Sequence, residues 1–580
     1  MPWDDDLSPE QKAIIADPAR IKIVRAGPGT GKTRLFVGAL QKALEDWHDQ
    51  RAGIAALSFT NVAQQQIEQR AGQLPHPHLT TTIDGFILRF IIRPFAHLIT
   101  QNHNGTRLLP APIAQHYNAD VQIGPHRAQR SRLTDITFIG RDDQGNIRLN
   151  GVTQYRAAAV HENRRNEVLR QKLRVWRYQG LVTHSDTHFL AYQLLHHPDH
   201  GEAIARLITQ RFPIILVDEY QDTNYFLAHT IATLLAQPTV HGLIVGDADQ
   251  SIYEFGGAHP SLMNDLEQLE GSKNFDLRQT YRCPSNVAAV ASHLAHSHNP
   301  VEPTGVPGNA IIIAHDNTTT TLEQTLAAYR QTGDRIAVLA RRTDTLDDLR
   351  GHPTSDFPGG CKLAAELHKA ATILPVDARR AGQLASAALS TFALEDAFPT
   401  KTVLDQHNIT QQQWRQAVWH LLTTAATIVD GETWAGWIAR LRPSLRHAVT
   451  TLGLTIEDER INRALRTTQD MAGLRQPPVF TPPPLWLNDV MLSTVHGVKG
   501  DEFDIVILHC PEPAKSGVRR CITQQWWNDQ TTEERRVAFV ATTRAKSVFI
   551  LSVHQLTYNA LRTLQPAFFT TFNEHHDLGH

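Results

Sequence analysis

The sequence predicts an α/β protein of two parallel-sheet domains, each carrying an inserted, mainly helical subdomain. Three observations carry this expectation. First, short apolar runs recur along the chain: IKIVRA (21–26), GIAALSF (53–59), FPIILVD (212–218), GLIVGD (242–247), RIAVLA (335–340), FDIVIL (503–508) and SVFILSV (547–553). Runs that are apolar throughout, rather than alternating, suit strands covered on both faces. Second, helical stretches such as KTRLFVGALQKALEDW (32–47) separate them, and strand–helix alternation is the pattern of an α/β fold. Third, the rhythm stops twice, over 96–190 and over 351–487.

Each element then takes its place. Residues 1–95 and 191–275 form the first sheet domain around an insertion at 96–190. Residues 276–350 and 488–580 form the second around an insertion at 351–487. The second insertion is rich in Ala, Leu and Trp (Trp414, Trp419, Trp434, Trp437) and reads as helical. It closes with PPVFTPPPLW (477–486), a stiff stretch in which helix is disfavoured.

Composition excludes several classes. No stretch of about 18 apolar residues occurs, so no membrane span is expected. The acidic, polar start MPWDDDLSPEQ is neither a secretory signal nor a basic transit peptide, and a cytoplasmic location is expected. Four cysteines without a CxxC pair argue against a zinc ribbon, an iron–sulfur cluster or a disulfide framework. The 31 histidines form no metal motif and read as solvated loop and helix residues. A net charge of −2 gives no bulk attraction for nucleic acid, so any grip must be local. Residues 127–180 hold twelve Arg/Lys against five Asp/Glu, which reads either as a solvated helix face or as phosphate contacts.

The strongest chemical signal is AGPGTGKT (26–33), after a predicted strand and opening a predicted helix. It matches a P-loop except that Ala26 replaces the first glycine. Small residues, Gly29 and Gly31 among them, let backbone N–H groups wrap phosphates at a positive helix end. Lys32 is expected to reach the β/γ-phosphates of ATP and Thr33 to hold Mg²⁺. DEYQD (218–222) ends the apolar strand FPIILV. There Asp218 can hold Mg²⁺ through water and Glu219 can accept a proton from the attacking water.

With these residues in place, the chain resembles the UvrD/Rep family of superfamily 1 DNA helicases, over nearly all of both α/β domains and in the family's motif order. The resemblance implies RecA-like domains and a set of roles. In LSPEQ (7–11), Gln11 would read adenine; Arg34, after GKT, would cover one adenine face. SFTNVAQQQIEQR (58–70) is similar to the first DNA-contact motif, with Phe59, Thr60 and Asn61 at DNA, although Val62 stands where Lys is usual. VGDADQSIYEFGGA (245–258) is similar to motif III, with Gln250 as γ-phosphate sensor and Tyr253 and Phe255 toward DNA. LRQTYRCPSN (277–286) would place Tyr281 on the other adenine face and Arg282 on the γ-phosphate. STVHGVKGDEF (493–503) would place His496 near DNA and Glu502 on the ribose, and EERRVAFVATTRAK (533–546) would supply Arg544 as a second γ-phosphate arginine. Two arginines on the second domain would make hydrolysis depend on domain closure, and such a finger is worth roughly 10³–10⁵ in rate.

The sequence also departs from the family. Phe255-Gly256-Gly257-Ala258 replaces Trp-Arg-Gly-Ala, removing a guanidinium that helps couple the ATP and DNA sites. Asp501 replaces an apolar residue in motif V. ATP hydrolysis is expected to survive these changes; processive unwinding is not. TIDGFILRFIIRPF (82–95), ILVDEYQD and the short second insertion resemble the helicase-like component of the Gabija antiphage system. That likeness implies a separate partner, an OLD-family nuclease with a TOPRIM domain. With 34 residues after Lys546, no nuclease domain is expected on the chain itself. Three readings follow: a 3′→5′ translocase on single-stranded or partly duplex DNA, including a stand-alone repair helicase; an ATP-consuming subunit that controls a nuclease; and a P-loop ATPase acting on protein or a small molecule, against which the DNA-motif resemblances argue.

Overall fold

The computed structural model describes residues 6–99, 107–108, 120–126, 129–153, 156–296, 301–303, 305, 307–316, 319–349, 362–374, 378–395, 399, 401–427, 429, 431–467, 485–487, 489–511 and 533–576. Cys361, Cys521, the side chain of Phe255 and most of the proline-rich stretch 477–486 lie outside them. The chain forms two compact units. One comprises the described residues up to 341 and from 489 onward; the other comprises those between 342 and 488.

The larger unit holds two six-stranded sheets, parallel throughout. The first contains β1 (Ile21–Ala26), β2 (Ile54–Ser58), β3 (Leu79–Thr82), β4 (Ile214–Val217), β5 (His241–Gly246) and β6 (Ser272–Leu277), in the order β6-β1-β5-β4-β2-β3. The second contains β7 (Asn309–His315), β8 (Ile336–Ala340), β9 (Val490–Thr494), β10 (Phe503–Cys510), β11 (Ala545–His554) and β12 (Glu574–His576), in the order β9-β8-β10-β11-β7-β12. Central strands such as β2 and β8 are buried along their whole length, the condition their unbroken apolar runs require.

Each sheet is interrupted as the sequence rhythm suggests, with two differences. The first insertion is mixed rather than mainly helical. An antiparallel meander, Thr137–Arg141, Ile147–Thr153 and Arg156–Ala159, precedes the helix Glu162–Arg174. Its first turn is set by Asp142, whose carboxylate accepts from the Gln144 and Asn146 amides, with Gly145 at φ 80°. The smaller unit begins at 342 rather than 351 because the helix Thr343–Leu349 belongs to it. Buried Asp347 receives both Arg380 nitrogens there, at 3.0 and 2.9 Å. This unit is helical and has its own core. Trp437 donates to the Ala425 carbonyl at 3.0 Å and Trp414 to the Ser386 hydroxyl at 2.9 Å.

Not all histidines are solvated, which corrects the sequence reading. His315, His509 and His554 come from the C-terminal ends of β7, β10 and β11. The His315 and His509 rings stack at 4.7 Å; one hydrogen-bonds the Cys510 carbonyl at 3.1 Å and the other the Ser552 hydroxyl at 3.1 Å. Burial pushes His315 down to about 4 and His509 down to about 3. The folded chain therefore keeps both neutral, whereas the unfolded chain takes up their protons below about 6.5. Stability is lost as pH falls from there toward 4, at ~1.4 kcal/mol per pH unit for each ring. Urea midpoints at about pH 7.5 and about pH 5.5 measure the slope. His509→Gln should flatten it, and an unchanged slope would remove His509 from this account.

Candidate phosphate-binding crevice

The first sheet lines up the chemistry by strand order. β5 pairs with β1 on one side and β4 on the other, so three chain segments leave the same C-terminal edge side by side. They are the P-loop after β1, Asp247 after β5 and Asp218-Glu219 after β4. A crevice at the carboxyl ends of the strands is where open parallel α/β sheets bind ligands.

Gly31, at φ 86°, caps the helix Lys32–Glu45, and Gly29 is at φ 72°. Both conformations favour glycine. A Cβ on Gly31 would lie 2.6 Å from the Gln11 amide nitrogen, and one on Gly29 2.5 Å from the Arg282 Cβ. Gln11 closes a capping box with Ser8 and donates to the Thr30 and Gly31 carbonyls at 3.1 and 3.3 Å. Its amide thus braces the P-loop itself. Lys32 lies 3.7 Å from Asp247 and donates to the Ala26 carbonyl at 3.3 Å. Thr33 is half-buried beside it, while Arg34 and Tyr281 are exposed. The Tyr281 amide donates to the Gly29 carbonyl at 2.9 Å, tying motif IV to the P-loop.

Asp218 and Glu219 are packed inside this edge. Burial, with the negative charge of Glu219, pushes Asp218 up to about 7. Burial also acts to raise Glu219, but Lys32 and Lys499 outweigh it and hold the group below the usual glutamate range. Glu219 has φ 54° and accepts from the Gln221 amide. Such a backbone strain in a non-glycine residue persists only where surrounding contacts impose it.

The second sheet presents its N-terminal edge to the same place. Phe503 of β10 pairs with Ala545 of β11, which sets Glu502 and Arg544, the residues just before them, close together. Arg544 is buried, donates to Gln250 Oε1 at 3.0 Å, and is pushed down to about 10 by burial and by Arg282. Arg282 ion-pairs with Glu502 and donates to the Thr543 carbonyl at 3.3 Å. Gln250 in turn donates to Asp247 at 2.5 Å, so an unbroken chain runs Arg544–Gln250–Asp247–Lys32. Thus Lys32, Asp218, Glu219, Gln250, Arg282 and Arg544 are brought to one region.

Four residues without an assigned role in the sequence reading join them. Lys499 donates to Asp222 at 2.6 and 2.7 Å and to the Gln250 carbonyl at 2.7 Å, tying the two sheets. Asp247 ends an apolar strand just as Asp218 does, and the same strand-end argument would have found it. Lys499 and Asp222 carried no such signal, since their pairing spans 277 residues. Arg536 likewise bridges the sheets, donating to the Ser251 carbonyl at 2.7 Å and pairing with Glu254. Among the described residues a Cβ on Gly256 would meet nothing within 4 Å, so none of them excludes a larger residue there.

The predicted DNA residues are divided. Phe59 and Tyr253 lie ring to ring at 6.0 Å, and Tyr253 meets His496 edge-on at 5.9 Å, with the Lys499 ammonium 5.0 Å from the Tyr253 ring. His496 hydrogen-bonds the Ile252 carbonyl at 3.0 Å and burial pushes it down to about 4, so it is neutral. Thr60 and Asn61 are exposed, although the Thr60 hydroxyl is used to cap the helix Asn61–Ala71.

The basic segment needs a correction. Lys172 is buried, 2.6 Å from Asp186, whose other oxygen receives the Trp176 N–H at 3.0 Å and the Thr183 amide at 2.9 Å. It anchors the helix and cannot meet a phosphate. Arg165 is paired with Asp142 at 3.3 Å.

Asp218, Asp222 and Asp247 are buried and Glu219 is half-buried; Lys32 and Lys499 oppose them, with Arg544 also acting on Glu219, and Asp218 with Thr33 could hold a divalent cation. Among the described residues no group of three or more His, Cys, Asp or Glu could by itself hold a metal.

Two parallel sheets closing on one P-loop crevice define a two-domain P-loop nucleotide-binding protein. Residues 7–270 match the family model of the UvrD/REP helicase N-terminal domain, and residues 483–556 match that of the UvrD-like helicase C-terminal domain. The chain belongs to the UvrD/REP helicase family. It is 27% identical over 311 residues to DNA helicase II of Salmonella typhimurium, covering 51% of this chain and 41% of that protein. It is 28% identical over 287 residues to the Gabija protein GajB of Bacillus cereus, covering 48% and 47%. Against the ATP-dependent DNA helicase Rep of Escherichia coli it is 25% identical over 321 residues, covering 51% and 44%. The chain therefore spans less than half the length of these relatives. Among the described residues no helix is long and apolar enough to cross a membrane.

Proposed function

We propose that this protein is a DNA-stimulated ATPase that moves 3′→5′ along single-stranded DNA and works with a separate nuclease in antiviral defence. The observation that carries the motor reading is the junction of the two sheets: cations of the second, Arg282 and Arg544, meet the Lys32 crevice of the first. Thr33 and Asp218 would hold Mg²⁺, which when bound with ATP neutralises charge on the β/γ-oxygens. Lys32 holds the same phosphates from the P-loop. Glu219, kept ionised by Lys32 and Lys499, takes the proton of the attacking water. Arg544 is oriented by Gln250 toward the γ-phosphate, so turnover requires both sheets to be in register. Lys499 on Asp222 and Arg536 on Glu254 carry that register toward Tyr253 and His496, where a strand would lie.

The relative named as a Gabija protein supports the defence reading, and the missing guanidinium at Gly256 supports weak unwinding by the chain alone. The relatives named DNA helicase II favour a stand-alone repair helicase instead. ATP turnover by the purified chain, with and without single-stranded DNA, tests the motor. Lys32→Ala should lower it by at least ~10²–10³, the loss expected when a preorganised charge is removed from the phosphates. Wild-type-like turnover would remove the nucleotide site. Processive unwinding of long duplexes with no co-purifying protein would favour the repair reading.

A further inference from the structure

We propose that the outer face of the first insertion's helix is a second nucleic-acid site, built to hold an unpaired strand with residues other than those of the crevice. The proposal rests on the reading of the protein as a nucleic-acid motor. The helix Glu162–Arg174 and its π-helical end Val175–Gln179 have two faces. The inner face is fixed: Val168, Lys172 and Trp176 are buried, with Lys172 and Trp176 both on Asp186. The outer face lines an open groove of about 660 Å³ with Arg170, Leu173, Arg174, Arg177, Tyr178 and Gln179.

Charge and exposure there are unbalanced. Glu167 pairs with Arg170 at 2.6 Å, but Arg174, Arg177 and Tyr178 form no side-chain hydrogen bond or ion pair among the described residues. Tyr178 is 71% exposed. The inner anchors force this exposure, because Trp176 turned inward leaves its neighbours Arg177 and Tyr178 outward. The wider π turn, a distortion frequent at functional sites, sets Tyr178 about one turn beyond Arg174. The backbone positions of Arg170 and Arg174 are about 6 Å apart along the helix axis.

Guanidiniums beside an open aromatic ring match a single strand, phosphates on the former and a base on the latter. A duplex offers phosphates but no free base face for Tyr178. A protein partner would need an apolar surround, and among the described residues Leu173 is the one aliphatic residue lining the groove.

The test uses the full chain and a labelled oligothymidylate of about 30 nucleotides, longer than the ~16 that a single-strand site spans. Arg174→Gln with Arg177→Gln should weaken binding and flatten the salt slope by about 1.4, two contacts at ~0.7 each. Tyr178→Ala should weaken single-strand binding about tenfold and leave blunt duplex binding unchanged. Unchanged affinity and slope, or an equal loss on duplex, would overturn the proposal. Photocrosslinking of a bromodeoxyuridine oligonucleotide to the wild-type chain decides the matter independently of variant folding. Crosslinks at 173–179 support the site, and crosslinks only elsewhere overturn it. If the wild-type ATPase ignores DNA, the motor reading fails while the crosslink still reports on the groove.

Discussion

Arg544→Ala is expected to lower DNA-stimulated ATP turnover by ~10³–10⁵ while leaving DNA affinity near wild type. The residue is buried in the second sheet's edge and donates to Gln250 Oε1 at 3.0 Å. Burial and Arg282 push its guanidinium down to about 10, yet it stays charged at neutral pH. In the proposed mechanism that charge is spent on the γ-phosphate as bonding to the leaving group weakens. Arg544→Lys should recover little, because an ammonium cannot bond Gln250 and a phosphate oxygen with one rigid fork. Steady-state turnover at saturating DNA, beside DNA binding by anisotropy, makes the measurement. Loss of both together would mean that Arg544 holds the two sheets rather than the phosphate.

Glu219→Gln should cut turnover by ~10²–10⁴ and leave nucleotide binding intact. The amide keeps the shape of the side chain and loses its capacity to take a proton. Glu219 has a φ of 54°, a backbone angle that an isosteric side chain leaves unchanged. Asp218, beside it, is pushed up to about 7, and the two carboxyl groups do not share one role. A fluorescent ATP analogue binds the variant equally if the assignment holds. If binding falls as far as turnover does, Glu219 is a structural or metal-holding group instead.

Much of the fold was legible because burial on both faces forces a strand to be apolar. IKIVRA corresponds residue for residue to β1, and FDIVIL and RIAVLA fall on β10 and β8. Edge strands escaped for the converse reason. β3 reads LTTT and β6 reads SKNFDL, sequences that pair on one side only and need no apolar run. NAIIIAH of β7 carried the signal and was still not read as a strand.

Sequence alone determined the local chemistry: a glycine-rich turn before Lys32, acids at the ends of apolar strands, arginines in two later segments. Each depends on neighbours a few residues away, so the order of residues is enough to specify it. Only the tertiary structure decided which of these groups meet. Strand order places Asp247 between Lys32 and Asp218, and the facing edges of two sheets deliver Arg544 to Gln250 across 294 positions of chain. It also separated the basic helix into Lys172, neutralised within the core by Asp186, and Arg174 and Arg177, left to solvent. Charge counted along a sequence is blind to that difference, because the cost of an unpaired buried cation depends on what lies opposite it in space.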